Sequence, residues 1–461
     1  MRQNLNPPSS PVTIDAGLND WQILQQNENG VASITLRGTW WTVARRKSPQ
    51  VLVRIVNEDG FSAISRTHDW TAAETRIDKS LEGEDAGKRG KWELTLRDIP
   101  CGGPYRVETS INSAEDALEW RRVGDTIHFL GVGDIWLIAG QSNAEGYGRN
   151  PVNDPPEIGI HQLSVNGKWE LAVHANRHHP WLAFAKNLRK ELGYPIGLIP
   201  TAVGGSPVSR WDPQQDGDLF ENMEARVKAA GGKLKGALWY QGESDTGPDD
   251  FPQYKTRFSH FLRGLRDLTG QPQLPIITVQ LNRHLNAEKG RDWDAIREAQ
   301  RQLSHELDNV FIISCFESVL CDGVHNGSLG NLLIAQRTAD TALGGIYGKD
   351  IAFRHPECAE ALQVEDKIIQ LRFANVVTRL DYTCDLEYSF PFAVRDEQGD
   401  IPVAGYSITD PEIFHIELER PPIGHTIVTG APGACPPHVI PKDIDGYRGM
   451  LGFSIKVVKK P

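Results

Sequence analysis

The spacing of apolar positions changes twice along the chain, and each change marks a different architecture. Between about residues 12 and 127, short stretches of β-formers (32–36, 50–55, 92–96 and 105–108) are punctuated by Gly, Asn, Asp and Pro. That is the pattern of strands joined by turns. Residues 1–12 read as a flexible tail and 81–90 as an exposed loop. From about 133 to 348, short buried strands (134–139, 196–199, 237–240, 275–281 and 309–313) alternate with helical periodicity. Trp181, Phe184, Ala185, Leu188 and Leu192 share one helical face, as do Tyr254, Phe258, Phe261, Leu265 and Leu268. Further helices are predicted over 219–230, 293–307 and 328–343. Strands alternating with helices of this length predict a parallel sheet covered on both faces. Beyond 348 the strand pattern returns (368–373, 392–394, 414–418, 452–458), broken by Pro411, Pro421, Pro422, Pro432, Pro436, Pro437 and Pro441. The expected fold class is α/β: an N-terminal β-sandwich-like domain with a flexible tail (1–127), a central three-layer α/β/α domain (128–348) and a C-terminal β domain (349–461).

A chain of 461 residues is long enough for two to four domains and a sizeable core without staples. Its net charge of −11 argues against bulk attraction to nucleic acid or anionic lipid. The short basic run around Lys186, Arg189 and Lys190 reads as a solvated helix face. No stretch of about 18 apolar residues predicts a membrane span. The start lacks the apolar core of a signal peptide, which leaves two compartments open: retention in the cell, or export with the signal already removed. Of the cysteines at 101, 315, 321, 358, 384 and 435, none forms a CxxC pair, so no zinc site is expected. Cys315 and Cys321 flank one loop, as a disulfide or as two free thiols. The 12 tryptophans are mostly core by this reading, with a few available to stack on sugar rings. Oligomeric state is not encoded in any pattern read here.

In a parallel α/β sheet the strand C-termini share one edge, and ligands bind there. The first strand is followed by Gly140-Gln-Ser-Asn-Ala-Glu-Gly146, the second by Val203-Gly-Gly-Ser-Pro-Val-Ser-Arg-Trp211, the third by Gln241-Gly-Glu-Ser-Asp245, and the fifth, a few residues on, by Asp322-Gly-Val-His325. Converging, these loops hold the parts needed for acyl transfer. Ser142 is the candidate nucleophile, His325 its base, and Asp322 the carboxylate that orients the imidazole. Donors for a tetrahedral oxyanion are the Ser142 amide, an amide at Gly204 or Gly205, and the Gln241 side chain. Gln141, Asn143, Glu243, Arg210 and Trp211 are candidates for substrate contact or support. Each element alone has a blander explanation: a turn, a surface pair, a structural ion pair for Glu243, a core Trp and a solvated Arg. The combination on successive strands of one sheet is what carries weight. His161, His174, His178 and His179 are loosely spaced for a metal site, and no metal or cofactor is expected.

These motifs resemble the SGNH hydrolases, and within them the sialate O-acetylesterase-like carbohydrate esterases. The resemblance rests on Trp136-Leu-Ile-Ala-Gly-Gln-Ser-Asn-Ala-Glu-Gly146, on 196–199 with Gly204-Gly205-Ser206-Pro207, on Trp239-Tyr-Gln-Gly-Glu-Ser-Asp245 and on Asp322-Gly-Val-His325, and it covers about 134–343. It implies a flavodoxin-like α/β/α core, metal-free ester hydrolysis through an acetyl-enzyme, and secretion or a periplasmic location. Ser142, His325 and Asp322 would be the triad, with the Ser142 amide, Gly205 or Gly204, and Gln241 as oxyanion donors. The superfamily's third-block Asn is missing here. Gln241 is its expected substitute and Ser244 the second choice. The expected partner is an O-acetylated carbohydrate (sialic acid, or plant polysaccharide such as xylan or xyloglucan). Two other functions remain in play: a carbohydrate-binding protein on a silent esterase scaffold, and an esterase for short aliphatic acyl chains. The polar loop residues Asn143, Glu145, Gln241, Glu243 and Arg210 favour a sugar over a long apolar chain.

Overall fold

The computed structural model describes residues 10–42, 49–78, 88–112, 121–383, 390–444 and 448–460. Most of the predicted 81–90 loop, most of the tail and Cys384 lie outside these residues. Within them, 88–90 already belong to the strand Lys88–Pro100. Val12, assigned to the tail by its polar neighbours, is fully buried and bridges Trp40.

The chain forms two compact units. The first takes residues 1–135 together with 156–172 and 189–198. Strand Val31–Thr42 runs antiparallel to Lys88–Pro100, and Gln50–Asn57 runs antiparallel to Gly102–Asn112. Alternation points Leu36, Trp40, Trp92 and Leu96 of one sheet, and Val51, Val53, Ile55, Val107 and Ile111 of the other, into one core. The segments 156–172 and 189–198 were expected in the central domain. They contribute the strands Ile160–Leu163 and Trp169–Leu171, paired antiparallel, and residues 196–198 alongside the first of these.

The second unit comprises 136–155, 173–188 and 199–461. Residues 136–140 of strand Arg121–Gly140 pair in parallel with Gly236–Tyr240, which pairs with Ile276–Val279, which in turn pairs with Val310–Ile313. The helices Asp218–Ala229, Tyr254–Thr269, Trp293–Glu306 and Ser328–Gly345 fall between or after these strands as the periodicity predicts. In register, Gly140 faces Tyr240 and Val279 faces Ile313, so the strands end along one edge. The segment after Ile196–Pro200 reaches the same edge, because Thr201 N–H donates to Ile138 O (2.8 Å) and Val203 N–H to Gly140 O (3.0 Å).

The C-terminal strands of this unit pair mainly antiparallel, with Glu357–Glu365 against Ile368–Ala374 and Phe392–Asp396 against Ile427–Gly430, while Val458–Lys459 joins Glu357–Glu365 in parallel. They share a core of Phe373, Phe392, Phe414 and Phe453, which also takes in Phe316. Arg297 ties these strands to the helical part. Its guanidinium is fully buried and donates to the carbonyls of Leu281 (2.9 Å), Asn282 (2.8 Å), Ala431 (3.1 Å) and Gly433. Burial lowers its pKa to about 10. The apolar substitution Arg297→Met would strand these carbonyls without donors. It is expected to lower the unfolding free energy by about 3–5 kcal/mol, read as a fall in the urea midpoint.

Candidate active site

Gly140 ends its strand with φ +127°, and a Cβ there would sit 2.2 Å from Tyr240 O. Only glycine makes this turn, and it delivers Ser142 to the first position of the short helix Ser142–Glu145. Ala144 and Glu145 N–H both bond Gln141 O (2.8 and 2.9 Å), while the Ser142 N–H lies in the unsatisfied first turn. Trp181 Nε1 pins the far end through Ala144 O (2.6 Å).

The loop after strand Val310–Ile313 shapes itself around a carboxylate. Asp322 Oδ1 accepts from the amides of Val324 (2.9 Å) and His325 (2.8 Å), and Oδ2 lies 2.8 Å from His325 Nδ1. Partial burial opposes ionisation, but these donors outweigh it and hold the carboxyl at about 2. Arg149 adds a more distant cation, 3.8 Å from Oδ2.

Asn143 joins the two loops. Its Nδ2 donates to Glu243 Oε1 (2.7 Å) and Val324 O (3.3 Å), and its Oδ1 accepts from Asn326 N–H (3.0 Å) and Asn326 Nδ2 (3.1 Å). The residue after Ser142 therefore grips the residues on either side of His325. Asn326 also donates to the Tyr240 hydroxyl (2.9 Å). Asn326 was not among the residues selected from the sequence, since only its contacts identify it. Among the described residues, no hydrogen bond joins the Ser142 hydroxyl directly to His325.

The other selected residues separate. Gly204 N–H is taken by the Glu145 carboxylate (2.8 Å). Gly205 keeps its amide free of any hydrogen bond among the described residues. Its φ is +68°, with open space where a Cβ would be. Gln241 is fully buried, and its Nε2 is engaged by Gln141 Oε1 (3.2 Å), Ser206 O (3.1 Å) and Asp245, so it is not presented as a free oxyanion donor. Gln141 Oε1 also accepts from the amides of Gly242 (3.4 Å) and Ser244 (3.2 Å), knitting the first and third loops together. Burial raises the Glu243 carboxyl above its ordinary range, against the pull of Asn143, and its second oxygen is buried without a partner among the described residues. Trp211 is fully buried against Trp239, its Nε1 on Ser206 Oγ (3.1 Å), which makes it a core residue out of a sugar's reach. Arg210 forms an exposed pair with Asp218. Cys315 and Cys321 are free thiols, bonded to the carbonyls of Gln280 (3.2 Å) and Tyr147 (3.3 Å) respectively.

Of the four histidines considered for metal, His161 lies apart, bonded to Trp21 O (2.7 Å). His174 and His178 gather at Asp154. His174 Nδ1 accepts the backbone N–H of His179 (3.3 Å), so its Nε2 carries the proton and donates to Asp154 Oδ2 (2.8 Å). His178 Nδ1 likewise faces the Asn331 amide (3.3 Å), and its Nε2 lies 3.2 Å from the same carboxylate oxygen. Lys186 fills the other oxygen (2.7 Å). Both imidazoles and the Lys186 ammonium thus converge on the one Asp154 carboxylate.

Residues 132–344 match the model of a family described as carbohydrate esterase, sialic acid-specific acetylesterase. The chain is 32% identical over 212 residues to a probable carbohydrate esterase of Arabidopsis thaliana, covering 39% of this chain and 78% of the relative. It is 26% identical over 344 residues to human sialate O-acetylesterase, covering 60% of this chain and 61% of that protein, so it spans less than two thirds of that relative's length. In fold it is similar to a carbohydrate acetylesterase from Xanthomonas citri, with a TM-score of 0.68 at 20% identity over 96% of this chain and 99% of that one.

Proposed function

We propose that this chain, which belongs to the carbohydrate esterases, hydrolyses acetyl esters on carbohydrate through a catalytic triad of Ser142, His325 and Asp322. In this reading Ser142 Oγ attacks the acetyl carbonyl while its proton passes to His325 Nε2. The amides of Ser142 and Gly205 receive the oxyanion, and the sugar hydroxyl leaves with the proton held by His325. Water then releases acetate by the same path in reverse. Asp322 holds Nδ1 and offsets the imidazolium charge. The observation that carries the reading is the bridge through Asn143, which binds the nucleophile's helix to both neighbours of His325. The Ser142–His325 hydrogen bond would close when substrate enters, as catalytic bonds in empty sites commonly lengthen.

The substrate we propose is an O-acetylated sugar, either sialic acid or a plant polysaccharide such as xylan or xyloglucan. Asn143, Glu145 and Glu243 beside Ser142, with Arg149 near Asp322, make a polar surround that suits hydroxyl groups better than a long acyl chain. Acetate release from acetylated xylan, xyloglucan, mannan and sialic acid, set beside aryl acetate and aryl octanoate, tests this. Acetyl esters are expected to turn over at least tenfold faster than octanoyl esters, and at least one glycan should release acetate. A preference for octanoate would overturn the sugar assignment.

A further inference from the structure

Tyr147 lies two residues beyond the nucleophile's helix and is half-buried. Its ring stacks on the His325 imidazole, with centroids 4.0 Å apart and planes 14° from parallel. The guanidinium of Arg177 lies 4.2 Å from the centroid of the same ring. Two groups at these heights cannot share one face of a phenol, so the three form a sandwich with Tyr147 in the middle. The backbone holds this arrangement in place. Gly148 and His178 exchange hydrogen bonds (3.0 and 2.9 Å), which fixes the residue after Tyr147 to the residue after Arg177, and Cys321 Sγ bonds Tyr147 O (3.3 Å) from the His325 loop. Asn331 Nδ2 also donates to His178 O (2.7 Å).

We propose that Tyr147 is a positioning residue that fixes the plane of the His325 imidazole, and that Arg177, on the far face of the ring, opposes positive charge on that imidazole. This rests on His325 being the base of the triad. The Asp322 carboxylate fixes only Nδ1 and leaves rotation about that hydrogen bond open, whereas a stacked ring restrains the plane and so the direction of Nε2. Among the described residues, the other charged or titratable groups that act on the imidazole are Asp322 on its own loop, Glu243 after the third strand and His284 after the fourth, with Arg149 acting through Asp322. Arg177 differs from them in acting across an aromatic ring, at a distance the two stacking separations put at roughly 8 Å.

The test is the pH profile of kcat and kcat/KM for an aryl acetate in the full chain carrying Tyr147→Ala, Tyr147→Phe or Arg177→Gln, beside Ser142→Ala and His325→Ala. Tyr147→Ala is expected to lower kcat about tenfold with KM little changed, and Tyr147→Phe to recover most of that loss, because the stacked face and not the hydroxyl is used. Arg177→Gln is expected to move the acid limb of kcat/KM to higher pH by about half a unit, since a cation that disfavours the imidazolium has been removed. The His325 ring-proton NMR signal should shift on Tyr147→Ala and stay near its position in Tyr147→Phe, a readout that does not depend on turnover. An Ala variant with unchanged kcat, a Phe variant as impaired as Ala, or an unmoved acid limb in Arg177→Gln would overturn the proposal. If activity survived in Ser142→Ala and His325→Ala, the triad reading would fail instead, and the NMR result would still report on the stack.

Discussion

Ser142→Ala is expected to lower kcat/KM for aryl acetate by at least about 10⁴-fold while leaving the unfolding midpoint where it is. Loss of a triad nucleophile costs on this order, and what survives comes from the oxyanion donors and binding alone. Those donors include the Ser142 backbone amide, which alanine keeps. The helix start is also unchanged, because Gln141 O, not the serine hydroxyl, accepts from Ala144 and Glu145. Nearby hydroxyls are poor replacements. Ser206 Oγ is fully buried and bonded to Val203 O (2.8 Å), and Ser244 has no imidazole on its loop. A combined reading of turnover and urea unfolding separates loss of chemistry from loss of fold. Wild-type turnover in a folded variant would place the nucleophile elsewhere.

The sequence made the central strands and helices legible because their burial is continuous and their helical faces regular. The strand predicted over 237–240 and the helices begun at Trp181, Tyr254, Trp293 and Ser328 lie within a residue or two of where they were expected. Strand Ile160–Leu163 was missed because His161 and Gln162 sit in its middle, and a four-residue strand with two polar residues carries no periodic signal. Loop order identified the residues that gather at the sheet edge, but spacing does not say where a side chain points. Gln241 and Trp211 have the right positions in sequence and turn inward, where the nearby Asp245 and Trp239 receive them. The contacts of Asn143 with Asn326, and of Tyr147 with Arg177, join segments far apart in the chain. No local pattern encodes such pairs, so only coordinates reveal them.

The second large effect is expected from Asp322→Asn, where side-chain volume is kept and only the proton inventory changes. In the native loop one carboxylate oxygen serves two backbone amides and the other faces His325 Nδ1. An asparagine can keep its oxygen on the amides of Val324 and His325, but then its NH₂ meets Nδ1 as a donor. The imidazole must answer with a bare Nδ1 and a protonated Nε2, the tautomer that cannot take a proton from Ser142. The flipped amide restores an acceptor to Nδ1 only by pointing NH₂ at two backbone N–H groups, which leaves both without partners. Either way kcat should fall by about 10²–10⁴-fold with KM nearly constant, since the carboxylate's role lies in the transition state and not in binding. The change cannot be mimicked by moderate acid in the native enzyme. A carboxyl held at about 2 contributes its charge at every pH above the ordinary carboxylate range, and loses it only as pH falls through about 2. Loss of activity between pH 7 and 5 must therefore come from a group other than Asp322. A folded Asp322→Asn variant with native kcat would mean that the imidazole takes its orientation from elsewhere, with the Tyr147 stack as the first place to look.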